Sequence, residues 1–248
     1  MPERTHHPSG PLGLAIALAA SAGFVDAHIY VNVTPVFVAN MSGNLIHLGI
    51  LLGGASWHRA LATLLTLAAF TAGVIAATIH HDRRVARARP VRPTLLLLVE
   101  GSLLVVLALY LWSSSVSFTS QPQLVDYPVL LVAGLAMGLQ AAALRRVGQV
   151  AVATTYGTGT IVRIGEKVVL AARRADRTTE HRRRVAIAVL VTVLVSYIIG
   201  AIAATAAGDG PAALAVPGVV VVACAVFGTS DGVPSENDDE AVSSRPSR

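Results

Sequence analysis

Two stretches, VANMSGNLIHLG at residues 38–49 and TTYGTGTIVRIG at residues 154–165, decide the fold class of this chain. At an offset of 116 residues, Ser-Gly-Asn-Leu-x-x-Leu-Gly in the first aligns with Thr-Gly-Thr-Ile-x-x-Ile-Gly in the second. Each stretch opens with polar and small residues and continues as an apolar, helix-like run. Irregular backbone of this kind is tolerated at membrane depth only where it is buried in protein or lines a cavity. The pair therefore predicts two re-entrant half-helices in a membrane protein, over residues 36–53 and 150–170.

The composition of the chain is that of an integral membrane protein. Of its 248 residues, 54% are hydrophobic and only 13% are charged, whereas an ordinary soluble domain has about 25% charged residues. So apolar a chain is not disordered, and a single cysteine, Cys224, excludes a disulfide scaffold. The net charge of +5 would suit a nucleic-acid partner, but most of the arginines cluster in two short runs between apolar segments, which is typical of cytoplasmic loops. Nucleic acid is therefore not an expected partner.

Six segments are long and apolar enough to cross a bilayer, which takes about 20 residues. They are residues 12–30, 60–79, 94–112, 128–144, 185–207 and 212–227. The last is short and contains Pro217, and we expect neighbouring helices to satisfy the backbone group that this proline frees. The first has an alternative interpretation as a cleaved signal peptide, because Ala20-Ser21-Ala22 resembles a cleavage site. Its apolar run continues past that site, which favours a span.

The positions of the basic residues predict the orientation of these spans. The loops over residues 83–92 and 167–184 are rich in arginine and are predicted to be cytoplasmic, whereas the loop over residues 113–127 contains no Lys or Arg and is predicted to lie outside. Both termini then face the cytoplasm, and the protein is a multi-pass protein of the inner (cytoplasmic) membrane. Eight full crossings are the alternative, but they would place Arg145 and Arg146 outside and expose two polar, Gly-rich segments to lipid.

The order of spans and half-helices predicts an internal 3+3 repeat. Spans one to three with the first half-helix match spans four to six with the second. Because each unit contains an odd number of full crossings, the second copy enters the membrane upside down, which is a recurring plan in transporters. A chance likeness between the small-residue motifs that pack membrane helices is the alternative. The predicted divisions are a cytoplasmic N-terminus at 1–11, repeat 1 at 12–112, an outer loop at 113–127, repeat 2 at 128–228 and a disordered cytoplasmic tail at 229–248.

Motifs around the two stretches resemble those of a known family. Val-Asp-Ala at 25–27 precedes Ala-Asn-Met-Ser-Gly-Asn at 39–44, and Gly-Leu-Gln at 138–140 precedes Ala-Thr-Thr at 153–155 and Thr-Gly-Thr at 158–160. In these motifs the chain resembles the YoaK-like family of uncharacterised bacterial integral membrane proteins, over about residues 13–228. It departs from the family at Ala141, where the family pattern has Asn after the Gln, and this weakens the case for a symmetric polar pair with Asp26. The resemblance implies a membrane location and no particular substrate.

The polar openings of the two half-helices form the predicted site. If Asn40, Ser42 or Thr158 caps the half-helix that follows it, the free backbone N–H groups and the positive end of each helix dipole point toward the centre of the membrane. Such ends suit an anion or a polar neutral solute. The predicted lining residues are Asp26, Asn40, Ser42, Gly43, Asn44, Gln140, Thr155, Tyr156, Thr158, Gly159 and Thr160. The alternative is that these residues only satisfy the broken backbone and hold the two halves together.

Other motifs that carry chemistry are scarce in this sequence. We find no nucleophile elbow, phosphate loop or zinc spacing, so we expect neither enzymatic activity nor a cofactor or metal. Asp26 and Glu100 lie within spans, where an acidic residue is a functional candidate by default. The predicted function is a channel or transporter for a small neutral or anionic solute, and a non-transporting assembly or sensory protein is the alternative. The expected partners are the lipid bilayer and the unidentified solute, with homo-oligomerisation left open.

Overall fold

Helices dominate the structure, as the composition predicts. The computed structural model describes residues 9–89, 93–114, 121–143, 146–147, 150–151, 157–172 and 177–227. Its helices and strands are α1 (Ser9–Asn32), α2 (Met41–Gly53), α3 (Trp57–Ala86), α4 (Thr94–Ser113), α5 (Asp126–Ala143), β1 (Arg146–Val147), β2 (Val150–Ala151), α6 (Gly157–Ala172), α7 (Arg177–Ala207) and α8 (Ala215–Phe227). A 3₁₀ segment, Pro211–Leu214, leads into α8, and β1 pairs with β2 in antiparallel fashion. Within the described ranges the all-α class of membrane protein is confirmed, with the two-residue β pairing as a local departure.

Five helices in the described part of the chain are long and apolar enough to cross a membrane. Their apolar ranges are Leu12–Asn32, Trp57–Ala86, Thr94–Ser113, Asp126–Ala143 and Arg183–Ala207, and these correspond to the first five predicted spans. The predicted sixth span, residues 212–227, forms the end of the 3₁₀ segment and α8. Because α8 has 13 residues, it rises about 20 Å, less than the roughly 30 Å of a bilayer core. Pro217 falls in the first turn of α8, where proline is tolerated, so it begins a helix instead of interrupting one.

Both predicted half-helices begin later than the sequence pattern suggests. Helix α2 starts at Met41, after an irregular segment over residues 33–40. Thr34 precedes a proline and is therefore biased away from helical conformation, and Asn40 caps the first turn of α2. Helix α6 starts at Gly157 instead of residue 150. Each of these shorter helices packs against the long helix that follows it, α2 against α3 and α6 against α7.

Close glycine crossings join the long helices in pairs, and the first of these pairs is α1 with α7. A Cβ atom placed on Gly23 would lie 2.0 Å from the carbonyl oxygen of Tyr197, and one placed on Gly200 would lie 1.9 Å from that of Ala20. No side chain fits in such a gap. Small residues at the interface are what allow membrane helices to approach this closely.

The pairing of α3 with α5 repeats this geometry at equivalent positions. A Cβ on Gly138 would lie 2.1 Å from the carbonyl oxygen of Phe70, and one on Gly73 would lie 2.3 Å from that of Leu135. On α5, Gly138 and Leu135 lie 115 positions after Gly23 and Ala20 of α1. On α3, Phe70 and Gly73 lie 127 positions before Tyr197 and Gly200 of α7. The two crossings therefore use corresponding residues of two helix pairs.

A third crossing joins α4 with α8. Here Gly101 and Gly218 face each other: a Cβ on Gly101 would lie 2.8 Å from the carbonyl oxygen of Gly218, and a Cβ on Gly218 would lie 3.0 Å from that of Gly101. The contact is thus reciprocal between the two helices.

The contacts also give the relative direction of α3 and α5. Gly134 faces Thr66 and Phe70, whereas Gly138, one turn later, faces Phe70 and Gly73. The two helices therefore run in the same direction. Since α4 connects the end of α3 to the start of α5, it runs the opposite way, which is the alternation that successive membrane crossings require.

The outer surfaces of the helices expose large apolar side chains. Ile46 and Ile50 of α2 are 69% and 65% exposed, and Val106 and Leu109 of α4 are 59% and 58% exposed. Extended apolar surface of this kind is unusual on a soluble monomer. It suits helices that face lipid.

Candidate functional site

Asp26, near the end of α1, is the centre of a buried hydrogen-bonded cluster. Its Oδ1 accepts the backbone N–H groups of Val38 at 2.6 Å and Ala39 at 2.8 Å, and its Oδ2 accepts that of Asn40 at 3.1 Å. The hydroxyl of Tyr197 on α7 donates to Oδ2 at 2.5 Å. Three consecutive N–H groups that converge on one carboxylate form a built anion site. Asp26 fills that site from within the protein and ties the segment before α2 to both α1 and α7.

Asn40 is the N-cap of α2, as one of the sequence predictions has it. Its Oδ1 accepts from the backbone N–H of Gly43 at 3.2 Å and from the hydroxyl of Ser42 at 3.0 Å. Ser42 therefore supports the cap and does not itself form it. A Cβ on Gly43 would lie 3.0 Å from Asn40 Nδ2 and 3.2 Å from the ring of Phe37. The small residue at position 43 thus leaves room for the cap.

Asn44 completes the cluster by pairing with backbone. Its Oδ1 accepts from the N–H of Phe37 at 3.1 Å, and its Nδ2 donates to the carbonyl oxygen of Phe37 at 2.5 Å. The Asn44 amide thereby satisfies both backbone groups of Phe37, as a neighbouring strand would do in a sheet. These groups need partners because buried backbone N–H and C=O groups must be hydrogen-bonded. The Phe37 ring in turn stacks on Tyr30, with centroids 4.4 Å apart.

The Asp26 carboxylate adds a charge at the start of α2. The prediction is that the free N–H groups of α2 and the positive end of its dipole face a solute. The carboxylate lies at this end, where it accepts the N–H groups of residues 38–40, which precede the helix. A second anion at the same end of α2 would meet the charge of this carboxylate at close range. The polar side chains of the motif that keep access to the surface are Ser42, which is exposed, and Asn40, which is half-buried.

The second motif is described only in part. Thr155 and Tyr156 lie outside the described residues, and so does the side chain of Thr158. Gly159 is exposed and Thr160 is buried, both in the first turns of α6. Because α6 packs on α7 whereas α2 packs on α3, the meeting of the two motifs at one depth stays a prediction.

Gln140, on α5, is fully buried and belongs to a different contact. Its Nε2 donates to the carbonyl oxygen of Leu18 on α1 at 2.8 Å. Leu18 is eight residues before Asp26, about 12 Å along the helix. The structure therefore joins Asp26, Asn40, Ser42, Gly43 and Asn44 in one network, and it places Gln140 at another level of α1.

Tyr197 is the site residue that the sequence prediction missed. A tyrosine in the middle of an apolar span carries a hydroxyl that needs a partner when it is buried, and this was the available signal. Its counterpart at the α3–α5 crossing is Phe70, and the counterpart of Asp26 is Ala141. The buried acid–tyrosine pair therefore exists in one helix pair and is replaced by apolar residues in the other.

Glu100, on α4, is the other intramembrane acid. It is fully buried, and within the described part of the chain neither carboxyl oxygen has a hydrogen-bond partner. Arg92, which sequence spacing offers as a partner, lies outside the described residues. In those residues, no group of three or more His, Cys, Asp or Glu side chains is placed to hold a metal ion.

Comparison with known proteins gives a family and no activity. Residues 14–227 match the family described as "Protein of unknown function (DUF1275)". A curated relative, the UPF0700 transmembrane protein YoaK of Bacillus subtilis (strain 168), is 30% identical over 151 residues, which cover 61% of this chain and 64% of the relative, just under two thirds of its length. No solved structure matches the chain. The chain is a multi-pass membrane protein that belongs to the DUF1275 family, and the resemblance to the YoaK-like family is confirmed.

Proposed function

We propose that this protein is a channel or transporter of the bacterial inner membrane, not an enzyme, and that a small solute passes between its two half-helices. The observation that carries the proposal is the correspondence between the two glycine crossings. Inverted repeats with broken helices near the midplane are a recurring plan for transporters, and the helix pairs of this chain follow the contacts that such a plan requires.

The packing supports a two-fold relation between residues 12–112 and 128–228. An axis through the reciprocal Gly101–Gly218 contact would exchange α4 with α8, α1 with α5, α2 with α6 and α3 with α7. It would then convert the α1–α7 pair into the α5–α3 pair, and α2 on α3 into α6 on α7. Matched crossings in two helix pairs are not expected from a chance likeness of small-residue motifs, and they support the repeat.

The proposed topology has six spans with both termini in the cytoplasm. In it, α1, α3 and α4 form the first unit and α5, α7 and α8 the second, with α2 and α6 as re-entrant half-helices. An odd number of crossings per unit inverts the second unit. This topology keeps the arginine-rich loops on the cytoplasmic side, and it agrees with the parallel course of α3 and α5.

The geometry at α2 favours a neutral solute over an anionic one. Because Asp26 already accepts the N–H groups of residues 38–40, its charge offsets the positive end of the helix. Asp26 and Asn44 are buried and bonded to backbone, so solute contacts in the first motif fall to Ser42 and the amide of Asn40. In the second motif, Gly159 and Thr160 are the described candidates.

Flux measurements in liposomes test this proposal. Purified protein is reconstituted and screened for uptake of small neutral solutes, anions and cations. We expect uptake of a neutral solute, which Ser42→Ala reduces and Ser102→Ala, a matched change on the exposed face of α4, does not. Cation-only flux would contradict the proposed site. Absence of flux for every solute would favour a non-transporting assembly or sensory protein.

A further inference from the structure

Glu100 is a buried acid for which the described part of the chain offers no counter-charge. Its side chain is fully buried, and neither carboxyl oxygen meets a hydrogen-bond donor in the described part of the chain. This differs from Asp26, which accepts four hydrogen bonds. A carboxyl group that only stabilised the fold would be expected to be bonded, since buried polar groups nearly always are.

With α4 as a membrane span, as proposed above, Glu100 lies close to the middle of the bilayer. Helix α4 has 20 residues, so it is about 30 Å long, and Glu100 lies about 5 Å from its midpoint. The next residue, Gly101, forms the reciprocal crossing with Gly218. If the repeat axis proposed above lies in the membrane plane, this crossing is at the midplane. Acidic residues at such depth are rare and belong to ion pathways and proton relays.

The elements packed against α4 bring almost no ionisable group toward Glu100. These elements are α5, α8 and the 3₁₀ segment, and none of them contains Lys, Arg or His. On α8 the titratable side chain is the half-buried thiol of Cys224. Asp126 and Tyr127 open α5, near the far end of α4, because the Tyr110 hydroxyl donates to the carbonyl oxygen of Val125. Tyr110 is ten residues from Glu100, about 15 Å along the helix.

We propose that Glu100 is a proton-binding site at the centre of the membrane, which takes up and releases a proton as the protein changes conformation. A proton is the ligand that a single carboxyl group can hold without further ligands. A metal ion would need several oxygen donors, and the neighbours of Glu100 on the same face of α4, Leu97 and Leu104, are apolar and buried. The proton neutralises the carboxylate while it is enclosed. Coupling of solute movement to a proton follows only if the proposed transport function holds.

Infrared spectroscopy of the full-length protein in lipid tests the site without any need for transport. We expect a C=O stretching band of a protonated carboxyl group at neutral pH, lost in Glu100→Gln and kept in Glu166→Gln, a matched change of an exposed glutamate on α6. The band should shift in D₂O, because the proton exchanges. A spectrum that is the same in wild type and Glu100→Gln, or a band that does not move in D₂O, would overturn the proposal.

A second measurement decides the matter if Glu100→Gln does not fold. A membrane-soluble carbodiimide reacts with protonated carboxyl groups in apolar surroundings, and mass spectrometry locates the adduct on the wild-type protein. We expect an adduct at Glu100 that forms less as the pH rises. Labelling confined to exposed acids such as Glu166 would count against a protonated Glu100.

Transport assays then separate this proposal from the proposed function. If wild-type uptake responds to an imposed pH gradient and Glu100→Gln retains downhill flux without that response, both proposals are supported. If no solute is transported but the infrared band behaves as expected, the transport function fails and the proton site stands. If transport occurs and is indifferent to pH and to Glu100→Gln, the proton site has no part in it and the coupling is refuted.

Discussion

Replacement of Asp26 by Asn should loosen the segment before α2 while the helices on either side stay intact. The carboxylate presents two acceptor oxygens to four donors, with Oδ1 serving Val38 and Ala39 and Oδ2 serving Asn40 and Tyr197. An amide has one acceptor oxygen. In its best orientation it keeps the bonds to residues 38 and 39 in weaker, uncharged form, and it turns an N–H group toward the N–H of Asn40.

The size of this effect follows from the bonds that change. A buried N–H left without a partner costs about 1–3 kcal/mol, and conversion of two charge-assisted bonds to neutral ones costs roughly another 1 kcal/mol in total. The sum is about 3 kcal/mol. Since about 1.4 kcal/mol corresponds to a factor of ten in an equilibrium, opening of the segment should become on the order of 100-fold more frequent.

Hydrogen exchange of the backbone amides of residues 38–40, read by mass spectrometry, measures this opening directly. Tyr197→Phe is the matched control, because it removes one hydrogen bond to Asp26 and leaves the three backbone donors with their acceptor. It should accelerate exchange only several-fold. Equal exchange in Asp26→Asn and wild type would refute the role assigned to Asp26. Equal acceleration throughout α1 and α7 would show general destabilisation instead of local release.

Three further predictions concern the motifs, the crossings and the topology. Thr160→Val should lower solute uptake in liposomes because it removes a candidate solute contact, and Asn44→Leu should lower it because it releases the backbone of Phe37. Both should leave membrane insertion intact, as checked by extraction and size-exclusion profiles. Unchanged uptake in both would exclude the motifs from the pathway. Gly23→Ala and Gly138→Ala should lower the thermal unfolding temperature by similar amounts, because each new Cβ would meet a carbonyl oxygen at about 2 Å. Gly49→Ala should have little effect, because a Cβ at position 49 has nothing within 4 Å. Widely different losses at positions 23 and 138 would contradict equivalent crossings. A fluorescent protein fused to the C-terminus should fluoresce in the cytoplasm, and a reporter enzyme that is active only in the periplasm should be inactive when fused there. The reverse pattern would be incompatible with a cytoplasmic C-terminus.

Many of the helices can be predicted from the sequence, because a helix that crosses lipid needs a run of about 20 apolar residues. An apolar run of sufficient length, such as that of α4 or α7, predicts a span with few competing interpretations. Local signals also give the cap of α2, since Asn40 precedes an apolar run and Gly43 stands where the cap needs space. The apolar run that predicts the first span, residues 12–30, stops within two residues of the end of α1.

The roles of the polar residues are harder to predict, because they depend on contacts between distant parts of the chain. Asp26 and Tyr197 are 171 residues apart, and nothing local to either identifies the other. Without that contact, Asp26 and Asn44 look like groups offered to a solute. The structure shows both bonded to the irregular backbone of residues 37–40, which is the alternative that the sequence leaves open. Pro217 misleads for a related reason, since its effect depends on where α8 begins.

The pairing of α1 with α7 has a consequence for how the protein is made. Helix α1 is synthesised early, yet Gly23 and Asp26 find their partners on a helix whose Tyr197 follows 171 residues later. At about 5–20 residues per second, ribosomal synthesis of that interval takes roughly 10–30 s. For that time α1 resides in the membrane with its glycine face uncovered and its acid without the tyrosine hydroxyl. Neither half of the chain alone can therefore form the α1–α7 pair, which forms only after α7 has been synthesised.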